Sequence, residues 1–294
     1  MKLAFCGDSF CMCTGPFTNQ ISITNWEQES DENCDWPWLV AQHFNADIIC
    51  SGIGGSNFFR SFQKLLGRID YADYIIFCVT EPYRLINKHN LPMTKVWLDE
   101  ITDPNSNFGK VFMKFAVEEP FENVKDYYNC REDERPSKEQ ILEAAHHGKY
   151  YFENIMDHGA TEIMQQGFLM YVDNMMMKRN KKCIWLNCFT DSNKSSPGWP
   201  DAYIPQSGPM GNFSLSSISM TEAYLEKYRK KITHGERRNH FDRDQNIRMS
   251  EMIIDTIKHD SFGSGTLHME DWFTELNSQL DEEQENDSDP FIYP

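Results

Sequence analysis

Four short, mostly apolar runs constrain the fold of this chain more than any other feature of its sequence. None of them alternates polar and apolar residues; the runs are Leu3–Cys6, Asp47–Cys50, Tyr74–Val79 and Lys182–Phe189. Strands of this kind are typical of a parallel sheet that is covered on both faces. Segments with helical spacing separate them. The pattern predicts an α/β fold with three layers, α/β/α, around a mostly parallel, flavodoxin-like sheet with helices on both faces.

Four capping patterns mark the starts of predicted helices. They are Asp35 with Pro37, the turn Gly54 to Asn57, and the capping boxes Ser137 with Gln140 and Asp242 with Gln245. The helical pattern after Ser137 runs to about Met177, with interruptions at Gly148 and Gly159. Its Met-rich stripe predicts a side that faces the core, and a Met-rich binding groove is the alternative.

The order of these segments predicts one α/β domain over residues 1–258, with an insertion at about 88–136 where the alternation of strand and helix breaks. Residues 191–235 are rich in Ser, Pro and Gly and predict a long loop region, with one short strand or helical turn at Leu215–Met220. Residues 259–294 are predicted to be an acidic C-terminal tail, because Asp281–Asp289 is a run of mostly acidic residues. Such a run is either solvated or a docking element for a basic protein partner.

Charge and composition exclude several classes of function. The formal net charge of −17 would repel phosphates, so we expect no binding to nucleic acid. No stretch reaches the length of a membrane span and the N-terminus lacks a signal-peptide pattern, so we expect no membrane association and a cytoplasmic location. The nine cysteines should therefore be reduced. Cys11 and Cys13 have no His or Cys pair at ligand spacing, so we expect neither a metal nor a cofactor.

Three turns with chemically useful residues follow three successive predicted strands. They are Gly7-Asp8-Ser9, Gly54-Gly55-Ser56-Asn57 and Thr80-Glu81-Pro82. Because the carboxyl ends of parallel strands lie at one edge of a sheet, these turns should converge. The Ser9 hydroxyl is then a candidate nucleophile, and a plain Asp/Ser helix cap is the alternative.

A serine nucleophile needs a base and an oxyanion site. His240 lies two residues before the predicted cap Asp242, so the backbone would hold its ring at the start of the last helix. The Gly54-Gly55 turn offers backbone N–H groups to an oxyanion, and Gly55 allows close approach. The alternatives are a tight turn for the two glycines and a surface or capping role for the histidine.

These features, in this order, resemble the SGNH or GDSL-type serine hydrolases over residues 1 to about 258. The resemblance rests on Gly7-Asp8-Ser9, the Gly-Ser-Asn turn after the second strand, Trp36-Pro37 at the start of the first long helix, and His240. It implies that Ser9 is the nucleophile in a catalytic block with Asp8 and that His240 is the base. It also implies that the backbone N–H groups of Ser9 and Gly55 hold the oxyanion.

The sequence departs from the family pattern at two positions. Thr80 stands where the family has the Asn that completes the oxyanion hole, so the Thr80 hydroxyl or the nearby Asn57 would replace it. Arg237 stands where the family tends to have an Asp three residues before the His. The carboxylate that would orient the base is then open between Glu236, which is next to that position, and Asp242 or Asp244, which follow it.

The resemblance implies a serine esterase that acts on a small acyl ester, and some family members remove O-acetyl groups from carbohydrates. Aromatic residues that would stack on a sugar ring are Trp185, Trp199, Tyr203 and Phe213. The alternative is a catalytically weakened or inactive structural or interaction protein with this fold. An example is a viral particle or tail component, which would place the protein in a virion.

Overall fold

The computed structural model describes residues 1–13, 35–80, 84, 94–121, 124, 131–188, 203–215, 241–262, 265–269 and 273. Within these residues six strands form one sheet: β1 (Lys2–Cys6), β2 (Asp47–Cys50), β3 (Tyr74–Val79), β4 (Lys182–Asn187), β5 (Pro209–Ser214) and β6 (Gly265–Leu267). Their order is β2-β1-β3-β4-β5-β6, and every neighbouring pair is parallel. The predicted α/β class with a flavodoxin-like strand order is confirmed.

Seven α-helices accompany the sheet in the described part of the chain. They are α1 (Trp36–Phe44), α2 (Phe58–Leu66), α3 (Lys95–Thr102), α4 (Asn107–Met113), α5 (Lys138–Asn154), α6 (His158–Lys178) and α7 (Arg243–Lys258). The predicted caps are confirmed: the Asp35 carboxylate accepts the Trp38 N–H, and both capping boxes, at Ser137 and at Asp242, are formed. Local capping chemistry therefore sets where these helices begin.

Successive strand residues face opposite layers, which makes the domain a three-layer structure. Leu3 and Phe5 of β1 pack in one core with side chains of α1 and α7. Ala4 and Cys6, which alternate with them, pack in a second core with side chains of α2 and α6. Burial on both faces explains why the strands are apolar throughout.

The segment predicted as an insertion contains helices of its own. Helices α3 and α4 lie in it, and a short π-helical turn follows α4 at Lys114–Glu118. A third cluster of buried side chains joins this segment to α5, with Leu98, Phe112 and Ile141 fully buried. Helices α3 and α4 thus pack together with α5.

Two strands lie where the sequence did not predict them. Strand β5 occupies Pro209–Ser214, inside the predicted loop region and before the short element expected at Leu215–Met220. Strand β6 pairs with β5 beyond residue 258, and Met269 and Phe273 are buried in the core with α1 and α7. The domain therefore extends into the segment predicted as a tail from 259, because three residues suffice to continue an open sheet edge. The acidic run Asp281–Asp289 lies outside the described residues.

The long helical pattern after Ser137 is interrupted between the two predicted positions, Gly148 and Gly159. Helix α5 continues through Gly148, and the break falls between Asn154 and His158. The Met-rich stripe is also divided in its burial: Met176 is fully buried, whereas Met164 is 72% exposed. No helix in the described ranges is both long enough and apolar enough to cross a membrane.

Candidate active site

The chain reverses direction sharply after β1, at the turn that carries Ser9. Gly7 has a φ of +144°, and a Cβ at this position would lie 2.6 Å from the Cβ of Cys78 in β3. Only glycine fits so close a contact with this backbone conformation. The Asp8 carboxylate then accepts the Phe10 N–H at 3.0 Å and caps a 3₁₀ turn over Ser9–Cys11. The interpretation of this turn as a helix cap is therefore correct for Asp8. Ser9 is half-buried.

Asp8 is fully buried and its carboxylate has charged and polar partners. Nη2 of Arg84 lies 2.9 Å from Oδ2 of Asp8, and the Arg84 side chain is also buried. The Cys188 thiol lies 3.4 Å from Oδ1 of Asp8 and donates to it. Burial raises the pKa of the Cys188 thiol to about 12, so it remains a neutral donor at physiological pH. Because Asp8 does not reach solvent, it is suited to positioning the turn and not to exchanging protons with a substrate.

The turn after β2 is fastened directly to the Ser9 turn. The Ile53 N–H donates to the Gly7 carbonyl at 3.0 Å, and the Gly52 N–H donates to the Cys11 carbonyl at 3.1 Å. A Cβ on Gly52 would lie 2.4 Å from the carbonyl oxygen of Asp8. The two turns predicted to carry the nucleophile and the oxyanion donor are thus in backbone contact.

Two backbone donors at this edge of the sheet have no acceptor among the described residues. Gly55 has a φ of +69°, a left-handed conformation, in the turn before α2. Neither this N–H nor that of Ser9 donates a hydrogen bond to a residue in the described parts of the chain, and the Ser9 hydroxyl makes none there either. Free N–H groups at neighbouring turns are the donors that an oxyanion requires.

Thr80, the candidate third donor, ends β3 on the other side of Ser9. Its carbonyl accepts a 2.6 Å hydrogen bond from Nε2 of Gln165, which ties it to α6. Its hydroxyl is buried and has no hydrogen-bond partner in the described structure. No described residue binds the hydroxyl, and its burial restricts what can reach it.

Two other candidates have capping roles that the sequence already indicated. The side-chain oxygen of Asn57 accepts the Arg60 N–H at 2.8 Å at the start of α2. Oδ1 of Asp242 accepts the Gln245 N–H at 2.9 Å at the start of α7, and Asp242 is buried. These bonds engage one oxygen of each side chain in helix capping.

The predicted base His240 lies outside the described residues, and so does Glu236. The residue after His240 is described: the ring of Phe241 packs edge-on against the ring of Phe10, with centroids 5.6 Å apart. Both rings are buried in the core beside α7. The start of the last helix therefore adjoins the Ser9 turn.

The strand order places this cluster of turns at a recognisable position in the fold. The chain adds strands on opposite sides of β1, so β2 and β3 flank it. In open α/β sheets, ligands bind outside the carboxyl ends of the strands where the order reverses in this way. Ser9 follows β1 and Thr80 follows β3, which puts both at this reversal.

No family model matches this chain. No curated protein sequence matches it either. A crystal structure of an acetyl xylan esterase is similar to the chain, with a TM-score of 0.32 and 11% sequence identity, covering 96% of this chain and 84% of that chain. A similarity of this size does not establish a common fold, and no function follows from it.

The prediction of sugar-stacking residues is wrong for Trp185. Trp185 is fully buried, stacks on Phe77 with centroids 5.4 Å apart, and donates its indole N–H to the Ser207 hydroxyl. It is a core residue and cannot contact a sugar. Tyr203 is half-buried and donates its hydroxyl to Asp173 at 2.5 Å. Trp199 and the side chain of Phe213 lie outside the described parts.

Sequence reasoning did not find Arg84. It is one arginine in a polar segment after β3, and no local pattern distinguishes it from a surface residue. Its role depends on partners at Asp8 and Ser56, which only the fold brings together. Among the described residues, no three His, Cys, Asp or Glu side chains are grouped as metal ligands would be.

Proposed function

We propose that this chain is a serine esterase of the SGNH type that hydrolyses a small acyl ester. In this proposal Ser9 is the nucleophile, His240 is the base, and the backbone N–H groups of Ser9 and Gly55 bind the oxyanion. Asp8 holds the turn in place through its buried contacts.

The ring contact between Phe10 and Phe241 carries this proposal. Ser9 directly precedes Phe10, and His240 directly precedes Phe241. The contact, with ring centroids 5.6 Å apart, brings the start of α7 beside the Ser9 turn, which supports pairing Ser9 with the residue that precedes Phe241. Sequence separation alone gives no reason for these two residues to meet.

The reaction divides into two steps. In the first, the Ser9 oxygen attacks the ester carbonyl while His240 takes the hydroxyl proton, and the two backbone N–H groups stabilise the oxyanion that forms. The intermediate collapses to an acyl-enzyme, and His240 protonates the leaving alcohol. In the second, His240 takes a proton from water as the water oxygen attacks the acyl carbonyl; the intermediate then releases the carboxylic acid, and His240 returns the proton to the Ser9 oxygen.

The proposal also ranks the candidates for the third oxyanion donor and for the carboxylate that orients His240. The Thr80 hydroxyl is the third oxyanion donor, supported by its position at the end of β3 and by its lack of another described partner. One such donor contributes on the order of 10² to 10³ in rate. Asn57 is the weaker substitute, because its side-chain oxygen caps α2. Glu236 is preferred to Asp242 as the carboxylate that orients His240, because Asp242 caps α7.

The proposed substrate class is a small acyl ester, with an O-acetyl group on a carbohydrate as the first candidate. A panel of activated esters with acyl chains of increasing length, run beside acetylated sugars, tests this. A rate that falls as the acyl chain grows supports a small acyl site, and equal rates for all chain lengths contradict it.

Covalent trapping tests the mechanism itself. A fluorophosphonate should form an adduct on Ser9 of the full chain, Ser9→Ala should remove the adduct, and His240→Ala should slow its formation by about 10² to 10⁴. Ser137→Ala is the matched control, since Ser137 caps α5 and should not affect labelling. A folded protein without an adduct on Ser9 would contradict the proposal.

The second candidate function is an inactive interaction protein, which the surface of α6 favours. Met164 and Tyr171 are 72% and 59% exposed on this helix, and exposed apolar side chains are common at contact surfaces. The acidic tail is the other proposed contact, through a basic partner. Deleting residues 279–294 should abolish co-purification of such a partner, and unchanged association would count against docking by the tail.

A further inference from the structure

A buried arginine touches both of the turns that carry the proposed chemistry. Nη2 of Arg84 lies 2.9 Å from Oδ2 of Asp8, and Nη1 donates a 2.9 Å hydrogen bond to the carbonyl of Ser56. The Arg84 side chain is 6% exposed and that of Asp8 is fully buried. One guanidinium therefore spans the end of β1 and the end of β2 from a segment that follows β3.

Each contact is one residue away from a group assigned to the reaction. Asp8 directly precedes Ser9, and Ser56 directly follows Gly55. We propose that Arg84 is a positioning residue that sets the distance between the Ser9 hydroxyl and the Gly55 N–H. This inference rests on the proposed function, because it concerns the geometry of that same site.

The chemistry of the guanidinium suits this task. It is planar, always charged, and presents several N–H groups in a fixed arrangement, so two partners bound to it are held at a fixed separation. A lysine ammonium has the same charge on a flexible stem and does not impose that separation. Arginine is therefore required for the geometry, whereas either cation would neutralise Asp8.

The charge balance points to a geometric role. Asp8 neutralises Arg84, and the Asp8 carboxylate is also bound by the Phe10 N–H and the Cys188 thiol. A paired cation attracts an anionic substrate weakly, so loss of Arg84 should affect turnover more than substrate binding. Displacements of about 1 Å at a reacting group cost roughly 10² in rate.

The test compares Arg84→Gln and Arg84→Lys with Arg135→Gln. Arg135 is the matched control because it also binds backbone carbonyls, those of Ala116 and Glu119, in the insertion. For each folded variant we would measure the rate of fluorophosphonate labelling at Ser9, and kcat and KM on an activated acetyl ester. Hydrogen exchange of the segments 1–13 and 51–57 would be followed in the same samples.

We expect Arg84→Gln to lower the labelling rate and kcat by about 10² with little change in KM. Both segments should exchange faster together. Arg84→Lys should recover stability but remain at least about tenfold slow, because charge returns without the fixed arrangement. Arg135→Gln should keep the wild-type labelling rate even where its stability falls. If Arg84→Gln does not fold, the lysine variant makes the same comparison.

The possible outcomes separate the two proposals. A wild-type chain that is not labelled contradicts the proposed function, and the positioning of a reaction by Arg84 falls with it. Labelling of wild type with an unchanged rate in either Arg84 variant overturns the positioning role alone. An Arg84→Lys variant with wild-type stability and labelling rate also overturns the positioning role, since a positive charge at this position would then be sufficient.

Discussion

The indole N–H of Trp36 donates a 2.7 Å hydrogen bond to the backbone carbonyl of Phe10, the residue that follows Ser9. Both residues are buried, and the Trp36 ring packs edge-on against Phe5 of β1 with centroids 5.4 Å apart. The backbone N–H of Trp36 also donates to the Asn246 side chain in α7 at 3.0 Å. One residue at the start of α1 thus joins the first strand, the Ser9 turn and the last helix.

Replacing Trp36 with Phe should destabilise the protein and disturb the Ser9 turn. The ring retains much of its packing, but the variant loses the hydrogen bond to the buried Phe10 carbonyl, which costs about 1 to 3 kcal/mol. Denaturant unfolding measures this loss. Trp38→Phe is the control, because Trp38 is only half-buried on the same helix and should cost less. Equal stability of the Trp36 and Trp38 variants would contradict the role given to the hydrogen bond.

Gly7→Ala should be among the most damaging small substitutions in the chain. Its φ of +144° disfavours a side chain, and the new Cβ would meet the Cys78 Cβ and carbonyl oxygen at 2.6 Å. Backbone strain and overpacking together should cost roughly 2 to 4 kcal/mol. The wild type and variant can be compared by thermal and denaturant unfolding.

Gly67→Ala is the matched control for that substitution. Gly67 ends α2 with a φ of −76°, and a Cβ there would have no atom within 4 Å. Alanine at such a position changes stability by no more than about 1 kcal/mol, with a gain expected from the less flexible unfolded chain. Similar losses for both glycines would show that close approach at Gly7 is not the cause.

The first part of the fold follows from the sequence because its signals are local. Strands β1 to β4 are continuous apolar runs, and the caps at Asp35, Ser137 and Asp242 use side chains that bond within three residues. Strand β5 gives no such signal, because Pro209–Ser214 contains Pro and Gly and becomes a strand through pairing with β4. Strand β6 is only three residues long and depends on β5 in the same way.

Part of the candidate site could likewise be predicted from the sequence, and part could not. That the Ser9 and Gly55 turns meet could be predicted, since parallel strands end at a common edge, and the Ile53 bond to Gly7 agrees with it. The ion pair between Arg84 and Asp8 could not be predicted, because it joins residues far apart in sequence and no local pattern marks Arg84. Which side chains of α6 are buried could not be predicted either, because an apolar stripe does not specify which of its residues a neighbouring element covers.

A buried carboxylate on α6, that of Asp173, accepts hydrogen bonds from the segment that precedes β5. Oδ1 of Asp173 accepts the N–H and the hydroxyl of Ser207, and Oδ2 accepts the Gln206 N–H at 2.8 Å and the Tyr203 hydroxyl at 2.5 Å. Asp173 itself is fully buried. Burial, followed by the hydrogen bond and charge of Asp173, raises the pKa of the Tyr203 phenol well above its ordinary value.

Asp173→Asn should lower the pKa of Tyr203 back toward the ordinary value of about 10 for a tyrosine. The charged acceptor that favours the protonated phenol is removed, although burial still raises the pKa in part. Because the folded pKa is the raised one, Tyr203 contributes stability below pH of about 10 that is lost as pH rises through the folded value. Asp173→Asn should lessen this alkaline loss of stability while lowering stability at neutral pH by about 1 to 3 kcal/mol.

Ultraviolet absorbance titration measures the phenol directly, with Tyr203→Phe as the reference that isolates its signal from those of the other tyrosines. The difference between wild type and Tyr203→Phe should show a phenol that ionises well above pH 10, and the same difference in the Asp173→Asn background should move down. Tyr71→Phe is the matched control, because Tyr71 is 67% exposed and takes part in none of the Asp173 hydrogen bonds given above. A Tyr203 signal that titrates at the same pH in both backgrounds would mean that the carboxylate does not hold the phenol, and that burial alone sets its pKa.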